Sequence, residues 1–425
     1  MIKPGKLRIE LPKDVKKILD TLAEKGYEAY AVGGCIRDSI LKRNPDDWDI
    51  TTNALPEEVK ELFKRTVDTG IKHGTVTVMM DKVGYEVTTY RIDGEYEDGR
   101  HPKSVEFSAD LVEDLKRRDF TINAMAYNEK DGLRDEFGGI GDIRKGMIRC
   151  VGSPEERFNE DALRMMRAIR FSAQLGFGVH RETMEAIKKL APNIKKVSME
   201  RVQVELIKTL LSDRPETVEL FAECKILEQI LPHLDRVIKS PKKTIVMKML
   251  KNAEKTPIMR YAALLYYAGD EAAYETLRAL KLDNYTTDTV TKLIRQEAVP
   301  IKVNEIDVRQ AMHDLGVDFI PMLRDFKRNI YKSKEEVMFI PMGKYLTQIE
   351  TVYKMYNQIV ERGDCVSLKD LAVNGKDLIE MGMKPGEEIG EMLNLLLRVV
   401  IEKPIENDKQ VLLALVEGKL ADEKK

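Results

Sequence analysis

The chain has 425 residues, of which 43% are hydrophobic and 33% charged, and its formal net charge is only −2. This length is too great for one ordinary core and predicts two to four domains, while the hydrophobic share excludes wholesale disorder. The near-neutral charge excludes a uniformly basic chain, so any surface for a polyanion must come from local clusters of lysine and arginine.

The first third of the chain has the pattern of a mixed α/β domain. Helical periodicity over 15–25 precedes a short apolar strand at 27–32, and a helix is predicted over 35–41 after the break at Gly33-Gly34. Three further segments have the pattern of strands: 47–51, 74–80 and 84–91. The charged, glycine-rich stretch 93–102 predicts a mobile loop.

From Pro154 onward the pattern changes to helices. Helical periodicity continues to the C-terminus, with breaks near 215, 241–243, 300 and 363–364. The glycine-rich segment 137–142 predicts a hinge between the α/β part and the helical part. The sequence therefore predicts an α/β domain over 1–150, followed by an all-helical remainder.

The first motif with chemical potential is Gly33-Gly34-Cys35-Ile36-Arg37-Asp38, followed by Asp47-Trp48-Asp49. Strand side chains alternate between faces, so Asp47 and Asp49 are expected on one face, where two carboxylates suit a hard cation such as Mg²⁺. The paired glycines allow the backbone at Gly34 to approach a triphosphate, which Arg37 could clamp. An isolated D-x-D is usually a pair of solvated carboxylates, but the glycines and the arginine upstream favour a metal site.

The second motif is Asp161-x-x-Arg164 on a predicted helix over 160–170, with Arg167 and Arg170 continuing the same row. A bare D-x-x-R is more often a surface ion pair. A carboxylate beside a guanidinium, however, complements the amino donor and the ring-nitrogen acceptor that cytosine and adenine share, and it mismatches guanine and uracil. The pair could therefore select C and A without a nucleic-acid template.

In this order the motifs resemble the catalytic signature of the DNA polymerase beta-type nucleotidyltransferases. In detail they resemble the bacterial class II tRNA nucleotidyltransferases, the CCA-adding enzymes and their poly(A) polymerase relatives, and the resemblance extends through 117–126, 160–167 and 371–378. It implies an α/β catalytic head of the DNA polymerase beta-type nucleotidyltransferase fold, followed by all-α neck, body and tail domains. The implied ranges are 1–150 for the head, 151–215 for the neck with its base-reading helix, 216–300 for the body and 301–425 for a tRNA-binding tail.

The resemblance also implies an activity, which is template-independent addition of C, C and A to the 3′ end of tRNA from CTP and ATP, with release of pyrophosphate. Asp47 and Asp49 would be the catalytic residues and the Mg²⁺ ligands, and Asp119 and Asn123 would shape the ribose pocket. The implied nucleotide-binding residues are Gly34, Arg37, Arg118, Asp161, Arg164, Arg167 and Arg170. The acceptor and T arms of tRNA would be bound by shape and backbone, and a homodimer is the family expectation.

Three alternatives stay open. Segment 69–76 resembles the corresponding segment of CCA-adding enzymes and lacks the Gly-Arg-Arg-Phe-like sequence of poly(A) polymerases. Loop 91–100 resembles the loop that is needed to add the final A, which disfavours an enzyme that adds only CC. An A-only transferase, a poly(A) polymerase and a catalytically silent RNA-binding protein remain as alternatives. The intact Asp47 and Asp49 argue against the silent protein.

Other candidates are weaker. Glu86 could complete a three-carboxylate site, but a solvated strand glutamate is equally compatible with the sequence, so we leave it outside the metal set. The five histidines have no metal-ligand spacing, so His313-Asp314 is expected on a helix surface rather than in a phosphohydrolase site. The four cysteines are scattered along the chain, which fits a reducing compartment. No apolar run approaches the ~20 residues of a membrane span, and the first twelve residues lack a signal-peptide core. We therefore expect a cytoplasmic protein.

Overall fold

The computed structural model describes residues 7–94 and 105–422. The chain divides into two compact units. The first comprises Met1–Ser240 with Glu275–Asp283, and the second comprises Pro241–Tyr274 with Asn284–Lys425. The predicted head and neck thus fall within one unit, and their division at residue 150, like the divisions at 215 and 300, stays a prediction.

A seven-stranded mixed sheet lies in the first unit. The strands of the described chain are β1 (Ala29–Val32), β2 (Asp49–Thr52), β3 (Thr66–Gly70), β4 (Thr75–Met80), β5 (Val83–Thr89), β6 (Arg91–Asp93), β7 (Val105–Phe107), β8 (Ala126–Asn128), β9 (Gly132–Arg134), β10 (Met147–Ile148) and β11 (Gly178–Val179). The sheet has the order β3-β4-β5-β2-β1-β8-β9. Only the pairing of β2 with β5 is parallel, and it places the two strands side by side in the middle of the sheet.

The helices follow the predicted change from α/β to all-α. Those that begin in the first unit are α1 (Lys13–Glu24), α2 (Gly34–Ile40), α3 (Pro56–Leu62), α4 (Leu111–Lys116), α5 (Gly139–Lys145), α6 (Pro154–Glu160), α7 (Leu163–Leu175), α8 (Arg181–Leu190), α9 (Met199–Leu210), α10 (Glu219–Glu223), α11 (Ile226–Ile230) and α12 (Pro232–Lys239). Those that begin in the second unit are α13 (Lys243–Asn252), α14 (Pro257–Leu265), α15 (Asp270–Ala279), α16 (Asn284–Glu297), α17 (Glu305–Leu315), α18 (Phe319–Met338), α19 (Gly343–Arg362), α20 (Gly375–Glu380), α21 (Glu387–Glu402) and α22 (Lys409–Asp422).

A cluster of buried side chains fixes α4 against the sheet. Leu111 and Leu115 are four residues apart, so they lie on one face of α4, and both are buried with Tyr30 and Val32 of β1. All four residues of β1 are buried, as its apolar sequence Ala-Tyr-Ala-Val requires. This packing determines where the chain leaves α4, and the Arg117-Arg118-Asp119 run follows at that point.

Two local predictions were wrong in detail. β2 begins at Asp49, so Asp47 lies before the strand rather than within it. The predicted hinge at 137–142 contains the start of α5. A Cβ on Gly139 would lie only 2.4 Å from the Thr121 carbonyl oxygen, so this glycine allows close packing of the backbone rather than bending. The predicted loop 93–102 lies mostly outside the described residues.

The predicted helix over 160–170 is also interrupted. α6 ends at Glu160 and α7 begins at Leu163, and Asp161 between them has extended backbone angles (φ −144°, ψ 105°). The predicted breaks near 215, 241–243, 300 and 363–364 are confirmed by helix ends at those places.

In the second unit, the long helices α18 and α19 contact each other along their length. His313 lies exposed on α17, as predicted. Over residues 7–94 and 105–422, no helix is long and apolar enough to cross a bilayer.

Candidate active site

Three carboxylates meet at the middle of the sheet. Asp49 is the first residue of β2, and Asp47 lies two residues before it. Glu86 of β5 directly precedes Val87, the register partner of Ile50, so Glu86 lies beside Asp49. All three side chains are exposed to solvent, so a ligand can reach them.

The carboxylates disfavour one another's charge. Desolvation raises the pKa of Asp49 and the negative charge of Asp47 raises it further, while the charge of Arg118 acts in the opposite direction. The pKa of Glu86 is also raised, first by desolvation and then by the charges of Asp49 and Asp47. The site therefore has excess negative charge in the absence of a bound cation.

This donor set fits a divalent cation. Oxygen donors with uncompensated negative charge suit a hard ion that completes its coordination with water and substrate phosphate oxygens. Within the part of the chain that the structure describes, no group of three or more His, Cys, Asp or Glu side chains is arranged to hold a metal ion by itself. The protein would thus contribute the carboxylates of Asp47 and Asp49 and rely on substrate for further ligands.

Arg118 lies next to these carboxylates and the glycine turn. Its Nη2 donates to the fully buried Asp114 at 3.3 Å, and its Nη1 is 3.0 Å from where a Cβ on Gly33 would be. Gly33 has φ +86°, a conformation that favours glycine. The Nε atom of Arg118 is buried and has no hydrogen-bond partner among the described residues. A guanidinium anchored by Asp114, on a side chain that stays 19% exposed, is suited to bind a phosphate or a nucleotide.

A chain of hydrogen bonds connects α2 to α7. Arg37 donates from Nη1 to Oδ1 of Asn123 at 2.6 Å, and Nδ2 of Asn123 donates to Oδ1 of Asp119 at 3.2 Å. Nε of Arg167 donates to Oδ2 of Asp119 at 2.7 Å. Burial would raise the pKa of Asp119, but the charges of Arg167 and Arg164 lower it to about 2. The buried Asp119 therefore stays ionised and anchors the arginines of α7.

Gly34 and Arg37 lie at the start of this chain. Arg37 is buried and also binds Asp38 through Nε at 3.0 Å and Nη2 at 2.7 Å. A Cβ on Gly34 would lie 3.6 Å from Nη2 of Arg37, which is an ordinary van der Waals contact, so Gly34 lies directly beside this guanidinium. In this structure the hydrogen bonds of Arg37 hold the turn and Asn123 in place.

The structure does not pair Asp161 with Arg164. Asp161 lies between two helices, so the argument that both residues share one helix face was wrong. Its carboxylate instead accepts from Arg201 of α9, at 2.7 and 3.3 Å, and from the backbone N–H of Leu163 at 3.0 Å. Arg164 donates to Glu160 at 2.5 Å and to the Arg117 carbonyl oxygen at 3.2 Å.

Asp161 and Arg164 nevertheless both act electrostatically on the ion pair of Asp119 and Arg167. The positive charge of Arg164 helps to lower the pKa of Asp119. The negative charge of Asp119 raises the pKa of Arg167, and the charge of Asp161 raises it further. Arg164 and Arg167 thus lie near the buried Asp119 carboxylate, and Asp161 lies near Arg167.

Arg170 lies deeper than its neighbours in the predicted row. It is buried, its Nε bonds Glu205 of α9 at 2.5 Å, and its Nη1 bonds Gln174 at 2.6 Å. Its guanidinium carbon lies 4.0 Å from the centroid of the Phe171 ring, which Arg37 and Arg167 also approach, at 5.0 and 5.4 Å. Its predicted contact with a nucleotide stays a prediction, and the structure gives its guanidinium a protein partner.

Sequence reasoning missed several residues of this site. Asp114 could have been found, because it lies three and four residues before Arg117 and Arg118 on a predictable helix. Arg201 and Glu205 carry no local signal, since each meets a partner 40 or 35 residues away in the chain.

Comparison with known families gives three matches along the chain. Residues 29–149 match the poly A polymerase head domain. Residues 176–238 match the probable RNA and SrmB-binding site of polymerase A, and residues 253–416 match the putative domain 2 of tRNA nucleotidyltransferases.

Individual relatives match over nearly the whole length. The chain is 36% identical to the CCA-adding enzyme of Ligilactobacillus salivarius over 97% of this chain and 98% of the relative. It is 37% identical to that of Anoxybacillus flavithermus over 93% and 94% of the two chains. The solved CCA-adding enzyme of Bacillus stearothermophilus, in complex with CTP, matches with a TM-score of 0.75 and 32% identity over 96% and 97%. That of Thermotoga maritima, complexed with tRNA, has a TM-score of 0.61 and 20% identity over 97% of both chains, which supports the fold alone.

Proposed function

The chain belongs to the family of CCA-adding enzymes, and from this premise we propose that it adds C, C and A to the 3′ end of tRNA from CTP and ATP, with release of pyrophosphate. The observation that carries the proposal is the continuity of the site. Asp49 is next to Arg118 at the glycine turn, and Asp119 connects Asn123 of that region to Arg167 of α7. One nucleotide could therefore meet the carboxylates with its phosphates and α7 with its base.

At the phosphate end, Asp47 and Asp49 would hold two divalent ions, which we propose to be Mg²⁺. When bound, the two ions would supply activation of the tRNA 3′-hydroxyl and stabilisation of the leaving pyrophosphate. Arg118, whose side chain is 19% exposed, would bind the incoming nucleotide, while Asp114 keeps the guanidinium in place. Catalysis then depends mainly on positioning and on fixed charge.

At the base end, Asp161 and Arg164 would read the Watson–Crick edge. A carboxylate accepts from the amino group of cytosine or adenine, and a guanidinium donates to the adjacent ring nitrogen. Guanine and uracil place a carbonyl and an N–H at these positions, so neither bond forms. In the present structure Arg201 occupies one side of the Asp161 carboxylate, and we propose that it orients this group toward the base.

The tRNA partner would be bound by its acceptor and T arms, through backbone contacts to the predicted tail. Such contacts make affinity fall as salt rises. All four cysteines are free thiols, which agrees with the reducing cytoplasm where these substrates occur. A homodimer stays a prediction.

The direct test supplies tRNA transcripts that end before CCA, after C and after CC, with Mg²⁺ and one labelled nucleotide at a time. We expect C on the first two transcripts, A on the third, and no incorporation of G or U. The Asp49→Asn variant is the control for contaminating activity. Addition of A to the CC-ending transcript alone would assign the A-only activity instead. Long A tails on unrelated RNA would assign a poly(A) polymerase.

A further inference from the structure

A cavity of about 380 Å³ lies in the second unit, lined mainly by α18 and α19. The end of α16, with the residues that follow it, and Tyr266 complete its lining. This volume is within the range of about 300–1,000 Å³ found for small-molecule sites. None of the lining residues, which all belong to the second unit, takes part in the candidate active site, so the cavity needs its own explanation.

Tyrosines form one side of the cavity. Tyr331 of α18 and Tyr345 of α19 stack with their ring centroids 4.9 Å apart and their planes 5° from parallel. Tyr345 is half exposed, so one side of this stack is accessible to a ligand. Tyr353 also lines the cavity and lies beneath the guanidinium of Arg324, at 4.0 Å. Arg324 covers Tyr353, so the accessible ring for stacking against a planar ligand is that of Tyr345.

Three cations line the same space. The Nζ atom of Lys334 lies 5.6 Å from the ring of Tyr266 and 5.4 Å from that of Tyr331, and no carboxylate of the described chain pairs with it. The Nε atom of Arg324 is buried and has no hydrogen-bond partner among the described residues, although its Nη1 lies 3.1 Å from Asp325.

The third cation, Lys327, is the most enclosed. Its Nζ donates to the Val299 carbonyl oxygen at 2.7 Å, and burial lowers its pKa. The one acidic side chain in the lining is Glu297, whose carboxylate accepts from the hydroxyl of Tyr266 at 2.8 Å. Glu297 and the Asp325 that pairs with Arg324 offset two of the three cations, so the cavity keeps a positive excess of one charge, which favours an anionic ligand.

We propose that this cavity binds a nucleotide, with its base stacked on the Tyr331–Tyr345 pair and its phosphate near Lys334 and Arg324. A purely apolar ligand would leave the cations uncompensated, and inorganic phosphate would not use the aromatic faces. A planar base joined to a phosphate uses both. The nucleotide could be a free nucleoside monophosphate or an unstacked residue of an RNA chain. The proposal concerns the second unit only and does not depend on the activity of the first.

The test uses the full chain and two double variants. Lys334→Ala with Tyr345→Ala removes one cation and the accessible ring. Lys332→Ala with Tyr285→Ala is the matched control, because Lys332 lines a separate surface groove and Tyr285 is 68% exposed outside the cavity. Binding of GMP is measured by titration calorimetry, since the proposed base-reading pair of the first unit rejects guanine. Binding of tRNA is measured by filter retention, together with the KM for ATP.

If the source is a free nucleotide, we expect the cavity variant to weaken GMP binding roughly 10-fold or more while tRNA affinity is unchanged. If the source is RNA, we expect tRNA affinity to fall roughly 10-fold while the KM for ATP stays constant. The control variant should match the wild type in both assays. Unchanged GMP and tRNA binding in the cavity variant overturns the proposal.

A second measurement needs no variant. The wild-type chain is irradiated with 4-thiouridine monophosphate, or with tRNA that contains 4-thiouridine, and the crosslinked peptides are identified by mass spectrometry. Crosslinks within 324–353 support the cavity as the site. Crosslinks confined to peptides of the first unit contradict it, whatever the activity of the enzyme proves to be.

Discussion

Arg201→Ala tests whether the base-reading carboxylate needs a positioning residue. Arg201 and Asp161 form two charge-assisted hydrogen bonds, at 2.7 and 3.3 Å, and their side chains are only 23% and 15% exposed. Hydrogen bonds to charged groups contribute about 1.5–3 kcal/mol when partly shielded from water. Without Arg201, the carboxylate of Asp161 can turn toward the charge of Arg167, which it already influences.

The expected loss is one of specificity. If the oriented carboxylate provides this energy only with the correct base, selection against G and U should fall roughly 10- to 100-fold, since about 1.4 kcal/mol corresponds to a factor of ten. The assay is kcat/KM for each of the four nucleoside triphosphates on a CC-ending tRNA. Arg181→Ala is the control, because Arg181 is 86% exposed and pairs with Glu185 on the surface of α8.

The pattern of the result distinguishes positioning from stability. Positioning predicts that kcat/KM falls for ATP and changes little or rises for GTP, with partial rescue by Arg201→Lys. An equal fall for all four nucleotides would indicate a folding defect. An unchanged ratio of kcat/KM for ATP to kcat/KM for GTP, in a variant with the melting temperature of the wild type, would refute the reasoning.

Three further predictions concern the first unit. Because the pKa of Asp119 is lowered from 3.8 to about 2, the ionised carboxylate stabilises the fold above about pH 4, and this stabilisation is lost as the pH falls through 2. Asp119→Asn should therefore remove about 2 kcal/mol of the pH dependence of the free energy of unfolding, measured by urea unfolding at a series of pH values. Parallel pH profiles for the variant and the wild type would contradict this prediction. Asp49→Asn should lower activity roughly 10²- to 10³-fold. It should nevertheless raise the melting temperature of the metal-free protein, because desolvation disfavours the Asp49 charge and Asp47 and Glu86 repel it; a lower melting temperature without metal would contradict this reasoning. Gly33→Ala should raise the KM for nucleotide, because the new Cβ would displace Arg118. Gly26→Ala is the control, because Gly26 has a similar φ of +90° but no atom within 4 Å of the new Cβ, and its KM should not change. Equal changes in KM for the two variants would show that backbone strain alone is responsible.

The sequence predicted the parts of the fold and site that depend on neighbouring residues. The strand that carries Asp49, the helix after Gly33 and the helix that carries Arg164 and Arg167 follow from local periodicity, and all three are confirmed. The break at Asp161 escaped prediction because the helical spacing of apolar residues continues across it. Its physical cause is the Asp161 carboxylate, which accepts from the N–H of Leu163 and so competes with a continuous helix.

Contacts between distant parts of the chain could not be predicted in this way. The spacing of residues gives no sign that Arg201 meets Asp161 or that Glu205 meets Arg170, because packing of α9 against α7 creates both pairs. Likewise, glycines at 138–141 suggested flexibility, whereas the structure uses Gly139 for a close approach to Thr121.

The ring of Phe171 has a mechanical consequence. Arg37 from the phosphate end and Arg167 and Arg170 from α7 all lie within 5.4 Å of its centre. A tilt of α7 on engaging a poorly matched base would shift this shared ring and, with it, the guanidinium beside the glycine turn. A wrong nucleotide would then be penalised twice, once where it is recognised and once where its phosphates must align for transfer.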